Sequence, residues 1–239
     1  EGNAERGLPT INAQIALTNA RTGLPEALLA GTAITNARTG CLGALAVRAL
    51  APETVALGVI GAGAQARWQT RAIATVAELE DVRVYSPSES RHACAADLSG
   101  AGFPARAVGD PATAVAGADV VVTATTATEP VFPASALGDE TLVVAIGAFT
   151  PEMQELEPAV VEGAEAVFAD VPSEVIETGD LRATDLDAPD LREFGAVLDG
   201  EGAQRPTAGT RAVVASVGSA TLDAAAGDAV YRRAVDADD

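Results

Sequence analysis

The chain has 239 residues and a formal net charge of −19, and its 15 Lys and Arg positions are all arginine. That length is enough for a buried core, whereas the acidity disfavours nucleic-acid binding because neutralising phosphates requires basic patches. We find no apolar run of membrane length and no signal peptide, so we expect a cytoplasmic protein with no membrane partner. The spread of acidic residues favours adaptation to a salt-rich cytoplasm over a simple composition bias.

The first predicted element is a hairpin around the stretch TNARTG at positions 18–23. Apolar residues alternate in INAQIAL before it, as in a half-buried strand, and LPEALLAG follows as a second short apolar run. We therefore expect a loop from Asn19 to Gly23, with Gly23 at positive φ and Arg21 exposed at the tip.

The same stretch recurs at positions 35–40, where the following residues have helical spacing. Thr35 or Asn36 is a candidate N-cap, which would place Arg38 near the start of a helix. A cation there opposes the helix dipole unless an anion shares the site. Two interpretations remain open: Arg38 binds an anionic ligand, or it pairs with a nearby acid.

The cysteines and the single histidine have no predicted chemical role. Cys41 and Cys94 occur in helix-like contexts without metal-ligand spacing, so we expect buried free thiols and no metal. His92 lies in a predicted helix, away from the expected chemistry.

The strongest motif joins an apolar strand, residues 55–60, to a helix through a glycine-rich turn. The pattern Gly61-x-Gly63-x-x-Ala66 between a strand and a helix is typical of dinucleotide binding. Gly61 permits the tight turn, Gly63 lets the backbone approach a pyrophosphate, and Ala66 allows close packing of the helix. Gly61, Gly63, Ala64 and Gln65 are therefore predicted to bind the cofactor.

Alternating strands and helices follow the glycine turn. Further strands are predicted in VRVYS, ADVVVTATT, TLVVAIG and AEAVFAD, with helices in ESRHACAADL and DPATAVAGA. Nearly continuous apolar strands alternating with helices indicate a buried parallel sheet. The predicted fold class is α/β, with a Rossmann-type doubly wound parallel sheet.

The end of the second strand of this sheet bears on the choice of cofactor. An acid at this point usually holds the ribose 2′-hydroxyl of NAD. Here the strand is followed by Ser86 and Ser88, with Arg91 in the next turn. Two hydroxyl groups and an arginine favour NADP over NAD, although the serines could instead only cap the following helix.

Several longer motifs extend over nearly the whole chain. They are NAERGLPT, ITNARTG, GAGAQA, ADVVVTATTATEPV, IGAFTPEMQEL, FADVPSEVIETGDL and SVGSATLD. In combination they resemble the ornithine cyclodeaminase/mu-crystallin family. The resemblance implies a Rossmann domain, residues 54–205, inserted into a smaller α+β domain for substrate binding and dimerisation, residues 1–53 and 206–239.

The resemblance also implies roles for individual residues. The arginine that matches Arg38 holds the substrate carboxylate in family members, which favours the first of its two interpretations. Thr123 and Thr125 would lie along the cofactor, as would the turn that contains Val217 and Gly218. The implied partners are a small imino or amino acid and a second copy of the chain in a homodimer.

Two departures from the family pattern affect the expected activity. Family members carry an N-terminal portion with a substrate-binding arginine and a catalytic lysine, whereas this sequence starts after that point and contains no lysine. We therefore expect a shortened chain or a loss of activity, and the catalytic residue is unknown. Cyclodeaminases have an aspartate that acts in ammonia release where this chain has Phe149.

Phe149 favours reduction of a cyclic imine over cyclodeamination. A phenylalanine cannot transfer protons but can pack against an apolar ring, and reducing a cyclic imine needs a hydride donor, a carboxylate-binding group and one proton source. IGAFTPEM thus resembles the branch that reduces substrates such as pyrroline-2-carboxylate. Glu155 and Asp170 are acids near strand ends that could assist the reaction, but we favour their interpretation as surface acids of an acidic protein. Ornithine cyclodeaminase, alanine dehydrogenase-like and non-catalytic NADPH-binding functions remain alternatives.

Overall fold

The computed structural model describes residues 3, 6, 12–199 and 210–237. Its strands are β1 (Ile15–Thr18), β2 (Pro25–Leu29), β3 (Thr54–Ile60), β4 (Glu78–Tyr85), β5 (Ala105–Ala107), β6 (Val120–Thr123), β7 (Leu142–Ala145), β8 (Ala166–Ala169), β9 (Arg192–Glu193) and β10 (Ala212–Ala215). Its helices are α1 (Gly31–Leu50), α2 (Ala64–Ile73), α3 (Ser90–Gly100), α4 (Pro111–Val115), α5 (Pro158–Glu162), α6 (Pro172–Val175), α7 (Gly179–Arg182), α8 (Phe194–Leu198) and α9 (Ala220–Ala237).

The chain divides into two compact units, Glu1–Thr39 with Ser219–Asp239 and Gly40–Gly218. In the first unit β1 and β2 pair antiparallel, and the loop between them is the first TNARTG stretch. Gly23 has a φ of 72°, and the Asn19 side chain accepts hydrogen bonds from the amides of Arg21 and Thr22. The predicted hairpin and its exposed Arg21 are confirmed.

The second TNARTG stretch lies inside α1, so the predicted cap at Thr35 or Asn36 is wrong. The helix begins at Gly31 because its first residues contact the backbone of Ala13, which precedes β1. A Cβ on Gly31 would lie 2.7 Å from the carbonyl carbon of Ala13, and the Ala13 amide donates to Thr32 Oγ1. Arg38 is therefore well inside the helix, and the dipole argument for an anion beside it does not apply.

The second unit contains a sheet of eight strands in the order β5-β4-β3-β6-β7-β10-β8-β9, and all of its pairings are parallel. The chain builds outward from β3 to β5 and then returns to β6 on the other side of β3. This is the reversal that creates a ligand crevice outside the carboxyl ends of the strands. The predicted doubly wound parallel sheet is confirmed.

Apolar layers cover both faces of this sheet, as a buried parallel sheet requires. On one face, Val55, Leu57 and Val59 of β3 share a core with Ile73 and Leu98 from two of the helices. On the other face, β-strand valines pack with residues of α4 to α7. Every residue of β6, β7, β8 and β10 is buried, which matches their continuous apolar sequences.

Strand β10 and the second half of α1 lie on the other side of the predicted domain boundaries. β10 pairs with β7 and β8 inside the parallel sheet, although residues 206–239 were assigned to the other domain. Leu42 and Val47 of α1 pack into the core of the sheet, although residues 1–53 were also assigned to the domain for substrate binding and dimerisation. The boundary at 206 lies outside the described residues, and the predicted roles of the two domains stay predictions.

Cys94 is buried as expected, whereas Cys41 is exposed, so that part of the prediction is wrong. Cys41 lies on an exposed face of α1, although its neighbours along the chain, Gly40 and Leu42, are buried. Of the helices in the described part of the chain, none has both the length and the hydropathy to cross a membrane.

Candidate active site

The carboxyl ends of the central strands form one level edge. Tyr85 of β4, Ile60 of β3 and Thr123 of β6 are register partners in a row across the sheet. The row continues through Ala145 of β7 and Ala215 of β10. The loops that follow these strands therefore emerge side by side, and they carry most of the residues that the sequence predicts for cofactor binding.

Gly61 is required by the turn after β3, as predicted. Its φ is 112°, and a Cβ at this position would overlap the carbonyl oxygen of Ala124. The Gly61 amide donates to the Tyr85 carbonyl, and the Ala124 amide donates to the Ile60 carbonyl. A side chain here would therefore separate the ends of β3 and β6.

Gly63 has no such structural requirement. Its φ of −81° suits any residue, and no atom lies within 4 Å of a Cβ built on it. The next residue, Ala64, begins α2, whose N-terminus has no side-chain cap. Open space above Gly63 and first-turn amides without partners inside the helix suit the approach of a pyrophosphate.

Arg67 holds the glycine loop from the side of α2, a role that the sequence did not predict. Its Nη1 donates to the carbonyl oxygens of Ala62 (2.7 Å) and Gly63 (3.1 Å). An ion pair of 2.6 Å with Asp97 of α3 fixes the guanidinium. The contact with Gly63 spans four residues along the chain, but the Asp97 partner comes from another helix and has no local signal in the sequence.

The structure brings Ser86, Ser88 and Arg91 together after β4 and adds Ser90 to them. The Ser88 and Ser90 hydroxyls are 2.6 Å apart, and the Ser86 hydroxyl lies 3.3 and 3.2 Å from them. Arg91 donates to the carbonyls of Ser86 and Ser88 and pairs with Glu89. The N-cap of α3 is Glu89, whose side chain makes no cap hydrogen bond, whereas the Ser88 hydroxyl accepts one from the Ser90 amide at 3.4 Å.

The segment after β6 is held by a residue that was interpreted as a surface acid. Thr123 Oγ1 donates to Glu155 Oε2 at 2.7 Å, and the Thr125 amide donates to Glu155 Oε1 at 2.6 Å. The Gly147 amide, after β7, donates to Glu155 Oε2 at 2.9 Å. Glu155 is 0% exposed, so the surface interpretation is wrong.

Glu155 is itself supported by a second buried acid. Asp180 Oδ1 accepts hydrogen bonds from the amides of Glu155 (2.6 Å) and Leu156 (2.8 Å). Burial raises the pKa of Glu155 to about 7 and that of Asp180 to about 6, and hydrogen bonds to each carboxylate oppose this rise. The two acids lie in two different motifs of the sequence, IGAFTPEMQEL and FADVPSEVIETGDL, and no local signal showed their contact, because Glu155 is 25 residues from Asp180 and 32 from Thr123.

Asp170, which follows β8, organises the turn after β10. Its carboxylate accepts hydrogen bonds from the Ser216 hydroxyl (2.6 Å) and from the amides of Val217 (3.3 Å) and Gly218 (2.8 Å). Gly218 has a φ of 74°, which closes the turn. Asp170 is partly exposed, so it is an acid near the surface that also has this structural role.

Phe149 lies in the loop after β7 and is 60% exposed. The loop around it is fixed, because the Thr150 carbonyl accepts hydrogen bonds from the amides of Met153 and Gly179. Close packing also requires Gly179, where a Cβ would overlap the Met153 carbonyl oxygen. A held backbone thus presents an uncovered aromatic ring beyond the carboxyl end of β7.

Arg38 belongs to the other unit and binds a carboxylate there. Its Nε lies 3.2 Å from Asp223 Oδ1 and its Nη2 lies 3.1 Å from Oδ2, while Thr35 Oγ1 donates to Oδ1 at 2.6 Å. Burial tends to raise the pKa of Asp223, but the hydrogen bonds from Arg38 and Thr35 outweigh burial and leave the pKa below its usual value. The structure shows the pairing with an acid; binding of substrate by Arg38 stays a prediction.

Comparisons with known proteins give matches over nearly the whole chain. The model of the ornithine cyclodeaminase/mu-crystallin family matches residues 1–238. A Delta(1)-pyrroline-2-carboxylate reductase of Bacillus cereus is 33% identical over 243 residues, which cover 98% of this chain and 74% of that protein.

Two solved structures resemble the fold closely. The Delta(1)-pyrroline-2-carboxylate reductase of Thermococcus litoralis, in complex with NADH and L-proline, has a TM-score of 0.92 at 29% identity, covering 98% of this chain and 75% of that one. An archaeal alanine dehydrogenase dimer with bound NAD has a TM-score of 0.90 at 28% identity, covering 100% and 76%.

Proposed function

The chain belongs to the ornithine cyclodeaminase/mu-crystallin family, and we propose that it reduces a cyclic imino acid of the pyrroline-2-carboxylate type to the L-amino acid. A nicotinamide coenzyme would supply the hydride. The proposal is supported by the similar reductase whose structure holds NADH and L-proline, and by an edge of the sheet whose loops suit a dinucleotide.

In this proposal the coenzyme is held by the loops at the carboxyl edge of the sheet. The Gly61–Gly63 turn and the start of α2 would bind its pyrophosphate through backbone amides. The loops that carry Thr125 and Gly218 would flank the nicotinamide side. The Thr123 hydroxyl is committed to Glu155, so Thr123 would act through its position in the backbone.

Phe149 is the observation that carries the choice of reaction. Its ring is 60% exposed on a fixed loop, and it offers an apolar surface but no proton. A cyclodeaminase needs an acid–base group to release ammonia, whereas the ring of a cyclic imino acid needs apolar contact. We propose that Phe149 packs against that ring. Arg38 is proposed as the group that binds the substrate carboxylate on the strength of the family resemblance, although Asp223 already pairs with its Nε and Nη2 and would have to release them.

We propose further that the coenzyme is NADPH in preference to NADH. The loop after β4 presents clustered hydroxyls of Ser86, Ser88 and Ser90 beside Arg91. Hydroxyls and a guanidinium favour a 2′-phosphate, although Glu89 already pairs with Arg91 and would have to release it. Ser88→Ala with Arg91→Ala is expected to weaken NADPH binding about tenfold and to leave NADH binding unchanged.

The test of the proposed reaction is a turnover assay. The protein is mixed with pyrroline-2-carboxylate and NADPH or NADH, and loss of coenzyme absorbance is compared with proline formed. One proline formed for each coenzyme molecule oxidised would support the proposal. Ammonia from ornithine without net reduction of coenzyme would indicate a cyclodeaminase, and tight coenzyme binding without turnover would indicate a mu-crystallin-like binding protein.

Alanine dehydrogenase activity is the second candidate, because the fold likeness to such an enzyme extends over the whole chain. The same assay with pyruvate and ammonium tests it. We expect slower coenzyme oxidation than with pyrroline-2-carboxylate, since pyruvate has no ring to cover Phe149. A homodimer and adaptation to high salt also stay proposals, the latter supported by the net charge of −19.

A further inference from the structure

Glu155 is a buried carboxylate for which the proposed reaction has no use. Its oxygens accept hydrogen bonds from the Thr123 hydroxyl and from the amides of Thr125 and Gly147. These donors come from two loops, one after β6 and one after β7. The carboxylate also fills the space beside Gly147, because a Cβ built on Gly147 would overlap Glu155 Cδ.

The ionised form of Glu155 is the one that fits these donors. Both oxygens accept from a backbone amide, which can only donate, so a proton on Oε1 would compete with the Thr125 amide, and a proton on Oε2 would weaken the bond from Gly147 and require the Thr123 hydroxyl to reverse. The backbone of Glu155 is fixed independently, since its amide donates to Asp180. Protonation would thus release a loop without moving the backbone of Glu155.

We propose that ionised Glu155 is a positioning residue of the coenzyme site, which holds the loops after β6 and β7 in the arrangement that binds the nicotinamide portion. This inference rests on the proposed function, because it assumes a coenzyme at that edge. It adds a pH dependence: the two loops are held together when Glu155 is ionised and are less tightly held when it is protonated.

The surroundings of Glu155 place this change near neutral pH. Burial raises its pKa to about 7, and the hydrogen bonds from Thr123 and Thr125 oppose that rise. From α7, the charge of Asp180 raises the pKa of Glu155 further. The loops after β6 and β7 contribute the uncharged donors already named.

The test is a titration of the protein with NADH between pH 6 and 8.5, followed by nicotinamide fluorescence. NADH is the probe because it lacks a 2′-phosphate, which would itself titrate in this range. We expect the affinity of the unchanged protein to rise about tenfold across the range. Glu155→Gln should bind about tenfold more weakly at high pH and show a flat profile, because its amide group cannot accept from all of the donors.

Glu157→Gln is the matched control, since it changes the same type of residue two positions away. Glu157 accepts a single backbone hydrogen bond, from the Ala134 amide, and a glutamine oxygen can retain it. We expect its affinity and pH profile to match those of the unchanged protein. Far-UV circular dichroism and a thermal melt of each variant show that it is folded.

Thr123→Val provides a second measurement that does not depend on folding of the Glu155 variant. It removes a hydrogen bond that lowers the pKa of Glu155. The midpoint of the pH dependence should therefore move to higher pH.

A pH profile shared by the unchanged protein, Glu155→Gln and Thr123→Val would overturn the inference while leaving the proposed function intact. Absence of NADH and NADPH binding at every pH would overturn both.

Discussion

Each of the two units of this protein contains a carboxylate that accepts hydrogen bonds from several donors, but the surroundings of the two carboxylates are opposite in kind. Asp223 is partly exposed and is bound by the Arg38 guanidinium, so its charge is compensated. Glu155 is fully buried and is bound by a hydroxyl and two backbone amides, with an acid rather than a cation nearby. One pKa is lowered and the other is raised.

The difference separates a contact that stabilises the fold from one that costs stability. A raised pKa means that the folded protein disfavours the ionised form relative to the unfolded chain. An ionised Glu155 beneath the two loops at the carboxyl edge therefore lowers the stability of the fold, and we interpret this cost as a requirement of coenzyme binding. The Arg38–Asp223 pair carries no such cost.

The largest expected effect is in the pH dependence of stability. Glu155 contributes stability that is present below its ordinary pKa of 4.5 and is lost as the pH rises to its folded pKa of about 7. Relative to Glu155→Gln, the unchanged protein should lose roughly 3 kcal/mol of unfolding free energy across that window. Urea denaturation at intervals of pH measures it, and parallel profiles for the two proteins would contradict the account.

The next largest effect is expected for Gly147→Ala. The added Cβ would push the Glu155 carboxylate from its donors, which we expect to cost about 2 kcal/mol of unfolding free energy. Gly227→Ala in the other unit is the matched control, because the nearest atom to its Cβ would be 3.4 Å away and the residue lies within α9. It should be neutral or slightly stabilising. Equal losses in both variants, in chemical denaturation, would contradict the role of Gly147.

Gly61 and Gly147 also illustrate which features the sequence could predict. The Gly61 turn and the strand and helix around it follow from neighbouring residues, so their pattern was sufficient. Gly147 and Glu155 depend on each other across 8 residues and Glu155 depends on Thr123 across 32 residues, and no local pattern marks such a set. Glu155 therefore looked like one more acid in an acidic chain.

The same limit explains the errors around Arg38. Thr35 and Asn36 have the residue types of an N-cap, but the contact of Gly31 and Thr32 with Ala13 starts the helix earlier. Tertiary contact thus overrode a local signal. Similarly, the sequence of β10 is an isolated apolar run. Its position between β7 and β8 is known only from the fold.

Asp223→Asn should have a smaller effect than changes at Glu155, with the opposite pH dependence. The pair with Arg38 is partly exposed, so we expect a loss of about 1 kcal/mol at neutral pH. Because the pKa of Asp223 is lowered, this stabilisation is present above the ordinary pKa of 3.8 and disappears as the pH falls through the folded pKa. Denaturation at pH 7 and pH 3 measures it; a loss that grows in acid would contradict the assignment.

Salt provides the smallest test of the comparison. At 1 M salt the Debye length is about 3 Å, so the partly exposed Arg38–Asp223 pair should be weakened. The cost of Asp223→Asn is expected to shrink by a few tenths of a kcal/mol, whereas the pH-dependent difference in unfolding free energy between the unchanged protein and Glu155→Gln should not change. Equal sensitivity to salt at both sites would show that Glu155 is more accessible to solvent than its burial indicates.

The central claim, that the carboxyl edge of the sheet binds a nicotinamide coenzyme, is tested most directly by titrating the protein with NADPH and NADH. Gly63→Ala and Gly100→Ala are measured beside it, because neither glycine has an atom within 4 Å of an added Cβ. The account predicts that Gly63→Ala weakens binding about tenfold while Gly100→Ala, at the end of α3, binds as the unchanged protein does. Equal binding by all three proteins, or no binding by any, would contradict it.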